Sequence, residues 1–144
     1  GELRINCDGR LVSAKFVINM RSITNQDIES KQYKAMLVDD LKSSRFFDVE
    51  KYPAAIFELL RSTPLGNNKF NLLGQLNIKG KLAPVNIPVE LKYKDNGKVI
   101  AVGKCSFDRT KYGLKYGSNS FFDNLGDEAI SDIIKLEFEI ELEK

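Results

Sequence analysis

The sequence predicts an all-β protein with one helical insertion, folded as an antiparallel β-barrel of about eight strands in a single domain over residues 1–144. Three observations predict it. Apolar and polar residues alternate at period two through seven separate stretches. Turn signals at Asp8-Gly9, Pro64 to Asn68 and Asp95-Asn96-Gly97 separate neighbouring stretches. Only residues 27–42 switch to helical period. Closure into a barrel suits such consecutive hairpins because it removes exposed strand edges. The eighth strand is not found in the sequence.

In chain order, Leu3, Ile5 and Cys7 alternate with Arg4 and Asn6. Val12, Ala14, Phe16, Ile18 and Met20 then form the inner face of a long strand, with Ser13, Lys15, Asn19 and Arg21 outside. One wet and one buried face is what an antiparallel sheet allows. Ser22 to Asn25 supplies capping residues. Tyr33, Met36, Leu37 and Leu41 recur at helical spacing, so a helix starting at Asp27 or Lys31 and ending at Lys42 is expected to pack that stripe on the sheet. Asp39, Asp40 and Lys42 keep its other face in water. Phe46 and Phe47, adjacent in a polar connection, are expected to plug the core.

From Pro53 onward the pattern is nearly all strand. Ala55, Phe57 and Leu59 make a short one. Phe70, Leu72, Gly74, Leu76, Ile78 and Gly80 line the next inner face, with Lys69, Asn71, Gln75, Asn77 and Lys79 outside. Val85, Ile87, Val89, Leu91 and Tyr93 follow, and the outward Pro88 implies a local edge or bulge. Val99, Ala101, Gly103, Cys105 and Phe107 alternate next, and Ile134, Leu136, Phe138, Ile140 and Leu142 close the chain against Lys135, Glu137, Glu139 and Glu141. The small inner residues Gly74, Gly80, Ala101 and Gly103 either leave room for a ligand or mark bends and bulges.

The chain turns around Lys104 to Ser120, KCSFDRTKYGLKYGSNS. There a strand ends on Phe107, Asp108-Arg109 brings charge to the rim, and Tyr112-Gly113 and Tyr116-Gly117 mark tight turns. Arg109 continues the inward parity of that strand. Its guanidinium is expected at the barrel end, pairing with Asp108, Asp127 or Asp132 or meeting a polar ligand head group.

Composition narrows the function. Net charge is +2 from 22 basic and 20 acidic residues, with no concentrated basic face to suit nucleic acid. No run of 18 apolar residues exists to span a membrane as a helix. The chain opens on Gly1 without Met or a leader and reads as processed or trimmed. With no His, no nucleophile elbow, no metal-ligand spacing and no phosphate loop, the sequence reads as a non-enzyme without catalytic residues, metal or cofactor. Cys7 and Cys105 form a disulfide, stay free, or do one of each as far as counting goes. Both fall on inward parity and are separated by five strands in this order, so buried free thiols are expected.

Four stretches carry a family resemblance: SITN at Ser22 to Asn25, LKSSRFFDVEKYPAAIFE at Leu41 to Glu58, LNIKGKLAPVNIPVEL at Leu76 to Leu91, and FDRTKYGLKYGSNSFFDNLGDEAISD at Phe107 to Asp132. Together and in this order they resemble the YceI-like family of polyisoprenoid- and lipid-binding proteins. The resemblance implies a lipocalin-like barrel with a helical lid and a long apolar chain in its lumen. It also implies export to the periplasm or cell exterior, and allows a homodimer. The family's opening strand has no counterpart here, which puts barrel closure in question.

The function expected is binding, transport or sequestration of a long apolar molecule, isoprenoid-, quinone- or fatty-acid-like. Two alternatives are a barrel with a filled core acting through its surface and an enzyme on isoprenoid-type substrates. The residues expected to meet the ligand are Phe16, Ile18, Met20, Phe57, Phe70, Leu72, Leu76, Ile78, Val85, Ile87, Val89 and Phe107 in the lumen. Arg109 and Tyr112 stand at the rim, and Phe121 and Phe122 form the lid.

Overall fold

A computed structural model describes residues 1–6, 10–95 and 97–142. Cys7, the Asp8-Gly9 turn signal and Asn96 lie outside the described residues. Among those described, seven strands form one antiparallel meander: β1 (Glu2–Ile5), β2 (Leu11–Asn19), β3 (Ala54–Gly66), β4 (Lys69–Ile78), β5 (Lys81–Tyr93), β6 (Val99–Asp108) and β7 (Ile133–Leu142). Each pairs with the next in chain order, and the sheet curls into a half-barrel. The outer strands β1 and β7 flank an opening of about 460 Å³, bordered by Leu3, Arg4, Ile140 and Leu142 among others. These are the seven strands found in the sequence, and the open side stands where the eighth is missing.

Period-two alternation translates most directly into burial on β4 and β5. Phe70, Leu72, Leu76 and Ile78 are buried, as are Ala83, Val85, Ile87, Val89 and Leu91. Register places Phe70 opposite Val89, Leu72 opposite Ile87 and Leu76 opposite Ala83. Outside this wall, Lys15 meets Glu58 at 2.6 Å and Lys104 meets Glu137 at 2.7 Å, each pair directly opposite across neighbouring strands.

Elsewhere irregularities shift the parity. Arg4 faces Ser13 but Ile5 faces Leu11, so Val12 falls in a bulge, exposed, and Leu11 takes the buried position instead. Strand β2 stops at Asn19, and Met20–Ser22 form a 3₁₀ turn. Strand β3 does not end at Leu59. It skips Leu60 between the pairs Leu59–Gly74 and Arg61–Leu73, so Ser62 and Pro64 continue the inner face opposite Leu72 and Phe70. The hairpin turn is only Asn67-Asn68, both at positive φ (51° and 60°), which suits the twist of the flanking strands. Gly80, expected on an inner face, sits with Lys79 in the β4–β5 turn, again at positive φ.

Pro88 marks a real edge. Strand β5 pairs with β6 only from Val89–Gly103 to Tyr93–Val99, and its stretch from Pro88 back to Lys81 pairs with β4 alone. Proline offers no N–H to a ladder. Lys104 to Asp108 pair only with β7, so the wall splits here. The 3₁₀ turn Arg109–Tyr112 packs against β5, with Tyr112 and Leu114 in the core.

The glycines correct another expectation. The Phe57 ring covers Gly74 so closely that a Cβ there would lie 2.2 Å from Cε2, and the Phe138 ring covers Gly103 at 2.4 Å from Cζ. The room left by Gly74 is filled by the Phe57 ring, whereas Gly103, beneath the Phe138 ring, still borders an opening of about 650 Å³ with Phe70, Pro88 and Val89.

The helix α1 (Lys31–Lys42) starts at Ser30, whose hydroxyl accepts from Tyr33 N. Asn25 Oδ1 instead accepts from Ile28 N in the segment before it. Tyr33 and Met36, expected to pack, are exposed. The half-buried residues are Lys34, Leu37, Val38, Asp40, Leu41 and Lys42, so of the three expected in water only Asp39 is exposed, and no residue of α1 is buried. Phe46 and Val49 are buried, and Phe47 packs partly against the core.

Candidate functional site

The residues expected to line a lumen fall into three environments. Phe57, Phe70, Leu72, Leu76, Ile78, Val85, Ile87 and Val89 are only 3–6% exposed and belong to one apolar cluster. They fill the interior with side chains. Phe16, Met20 and Phe107 are partly buried against that cluster, with Phe16 stacked on Phe57 at 6.5 Å. Ile18 shares their face, opposite Ala55, yet lies exposed near the end of β2 where the strand gives way to the 3₁₀ turn.

A fourth group was not singled out from sequence as ligand-binding. Along the open side, Leu3 and Ile5 of β1 and Ile134, Leu136, Phe138, Ile140 and Leu142 of β7 are all half-buried. Their alternation was legible, but only the strand order shows that each strand is paired along one edge alone.

At the end where β6 terminates, Arg109 is 2% exposed and makes four hydrogen bonds, all to backbone carbonyls. Nε donates to Ser131 O (2.8 Å), Nη1 to Leu114 O (2.6 Å) and Tyr116 O (2.9 Å), and Nη2 to Ile130 O (2.9 Å). Nη2 also lies 3.3 Å from Asp132 Oδ1. Asp132 is thus the carboxylate partner among those expected. Asp108 instead caps the 3₁₀ turn, accepting from Thr110 N and Oγ1. The guanidinium holds the loop 113–132 closed on itself, with four of its five N–H groups on the loop's own carbonyls.

Ser118, fully buried, and Ser120 were not foreseen. Hydrogen bonds from Ser118 and then Ser120, with the Arg109 charge adding to them, hold the Asp132 carboxyl below its ordinary value of 3.8. A depressed carboxylate stabilises the fold above its unfolded pKa and loses that contribution as pH falls through the lower, folded one. Asp132→Asn is therefore expected to unfold with a shallower acid dependence below about pH 3.8, followed by circular dichroism. Coincident acid profiles would contradict the assignment.

Tyr112 is 1% exposed, packs edge-on to Phe107 at 5.5 Å, and its hydroxyl has no partner among the described residues. Burial pushes its pKa up to about 12. Cys105, expected buried, is half-buried because β5 no longer covers β6 at that level. Partial burial raises its thiol pKa. Phe121 and Phe122 are 47% and 50% exposed, so the lid residues lie on the outside of the loop.

Comparison with known proteins places this geometry. A family model described as the YceI-like domain matches residues 1–142. The Campylobacter jejuni YceI protein that crystallises with large solvent channels superposes with a TM-score of 0.76 at 18% identity, over 99% of this chain and 80% of that one. A mutant of it carrying a monobromobimane guest matches equally, with the same score, identity and coverage. Burkholderia cenocepacia BcnA gives a TM-score of 0.76 at 24% identity, covering 99% and 82%. No curated protein matches the sequence. No helix among the described residues is long and apolar enough to cross a membrane. With nearly its whole length matched, the chain belongs to the YceI-like domain family.

Proposed function

We propose that the protein binds a long apolar molecule, isoprenoid-, quinone- or fatty-acid-like, against the inner face of the half-barrel. It acts as a carrier or sequestering protein and not as an enzyme, in the periplasm or outside the cell. The observation that carries this reading is the run of only half-buried apolar residues along the open side, Ile134, Leu136, Phe138, Ile140 and Leu142 of β7 with Leu3 and Ile5 of β1. Contiguous exposed apolar surface on a folded chain marks a binding site. A chain ligand gains about 0.8 kcal/mol for each CH₂ it buries there. The unpaired Tyr112 hydroxyl supports a ligand with a polar atom, since a buried donor without a partner is costly.

A second reading has its own observation. The eight lumen residues at 3–6% exposure already pack the interior, which favours a filled barrel acting through its surface. Organic extraction of natively purified protein followed by mass spectrometry separates the two. The carrier reading expects a co-purified lipid in near-stoichiometric amount. An empty extract, with no uptake of added lipid by the extracted protein, supports the filled barrel.

A further inference from the structure

We infer that the barrel end bearing the β4–β5 turn and the Arg109 loop is a docking face for an anionic lipid bilayer. Five lysines gather there from three parts of the chain: Lys51, Lys79, Lys81, Lys111 and Lys115. Side-chain contacts tie Lys51, Lys79 and Lys81 into one surface. Lys79 Nζ donates to Ser44 O at 2.7 Å, and the Lys81 side chain lies against Gly113. Tyr52 covers Gly80, and Lys51 Nζ stands 5.3 Å from the Tyr52 ring centroid.

Among the described residues, none of these five lysines is in an ion pair, whereas Arg45 and Arg21 are matched by Asp40 and Glu50. The whole chain carries only +2, so this is a local concentration of charge and not a property of the protein at large. Asp123, Asp127 and Glu128 follow Phe122 in the same loop and would oppose contact with an anionic surface on their side.

Beside the lysines stand three exposed aromatics: Tyr116, Phe121 and Phe122. Two carry a cation on the ring, with Lys115 Nζ 4.1 Å from the Phe121 centroid and Arg45 Cζ 5.1 Å from that of Tyr116. Rings and ammonium groups side by side match the depth profile of a bilayer interface, where aromatics sit at the head groups and lysines reach the phosphates. A protein partner fits less well, because lysine is depleted from protein–protein interfaces.

The test is co-sedimentation of the full chain with vesicles of phosphatidylcholine alone and of phosphatidylcholine mixed with phosphatidylglycerol. Binding is expected only to the mixed vesicles and is expected to fade at high salt. Lys81→Gln/Lys111→Gln/Lys115→Gln should lower the partition about a hundredfold, roughly fivefold per lysine. Lys69→Gln/Lys92→Gln/Lys94→Gln removes the same charge at the opposite end and should leave binding unchanged. Phe121→Ser/Phe122→Ser should weaken binding at either salt concentration. Equal binding to both vesicles, equal loss in the two lysine triples, or no vesicle binding while an acidic protein is captured would each overturn the inference. The assay needs no cargo, so it stands or falls separately from the carrier reading.

Discussion

Arg109→Ala is expected to destabilise the protein by about 3–5 kcal/mol, a large share of the 5–15 kcal/mol that holds a typical domain together. The side chain is 2% exposed and its donors serve four backbone carbonyls, of Leu114, Tyr116, Ile130 and Ser131, besides the Asp132 carboxylate. Truncation would strand those acceptors in a site too enclosed for water to reach all of them, and each stranded acceptor costs its own desolvation. Arg109→Lys should recover little. An ammonium keeps the charge but cannot reproduce the planar fork that reaches carbonyls on both sides of the loop. Urea denaturation monitored by circular dichroism would measure both variants. A midpoint for Arg109→Ala within error of the parent would show that the loop does not depend on the guanidinium.

That residue also shows how far the sequence could be read. Its inward parity, counted from Val99 to Phe107, placed Arg109 at the barrel end, and Asp132 was among three acids proposed to meet it. The carbonyls it holds were invisible, because backbone acceptors leave no trace in side-chain type. Strand positions were legible wherever alternation ran without a bulge, as from Phe70 to Ile78 and Val85 to Leu91. They failed at Val12 and after Leu59, where one extra residue reverses the parity that the pattern relies on. The helix was legible as an element, but its half-buried side was misread, since Tyr33 and Met36 look apolar and are nonetheless left in water. The open side, which carries the proposed site, depends on which strands lack a neighbour. The missing eighth strand put closure in question, but no local pattern records which two strands border the gap.

The glycines separate a size argument from a contact argument. A small residue on an inner face reads as space, yet the space above Gly74 belongs to Phe57. A Cβ at that position would lie 2.2 Å and 2.4 Å from two carbons of the Phe57 ring and 2.7 Å from the carbonyl oxygen of Glu58. The ring can tilt, but the backbone oxygen sits on the paired strand and cannot retreat without spreading β3 from β4. Gly74→Ala is therefore expected to cost about 1–3 kcal/mol, the usual penalty for overpacking a filled core, and Gly74→Leu more than that. The larger variant should unfold or aggregate instead of giving a folded barrel with a blocked lumen. Adding Phe57→Leu tests the cause, because relieving the ring clash should recover part of the loss in Gly74→Ala, giving a favourable coupling in the double-mutant cycle. The share not recovered measures the contact with Glu58 O. If Gly74→Ala were as stable as the parent, or if the two substitutions were strictly additive, the Phe57 ring would not be what fills this position.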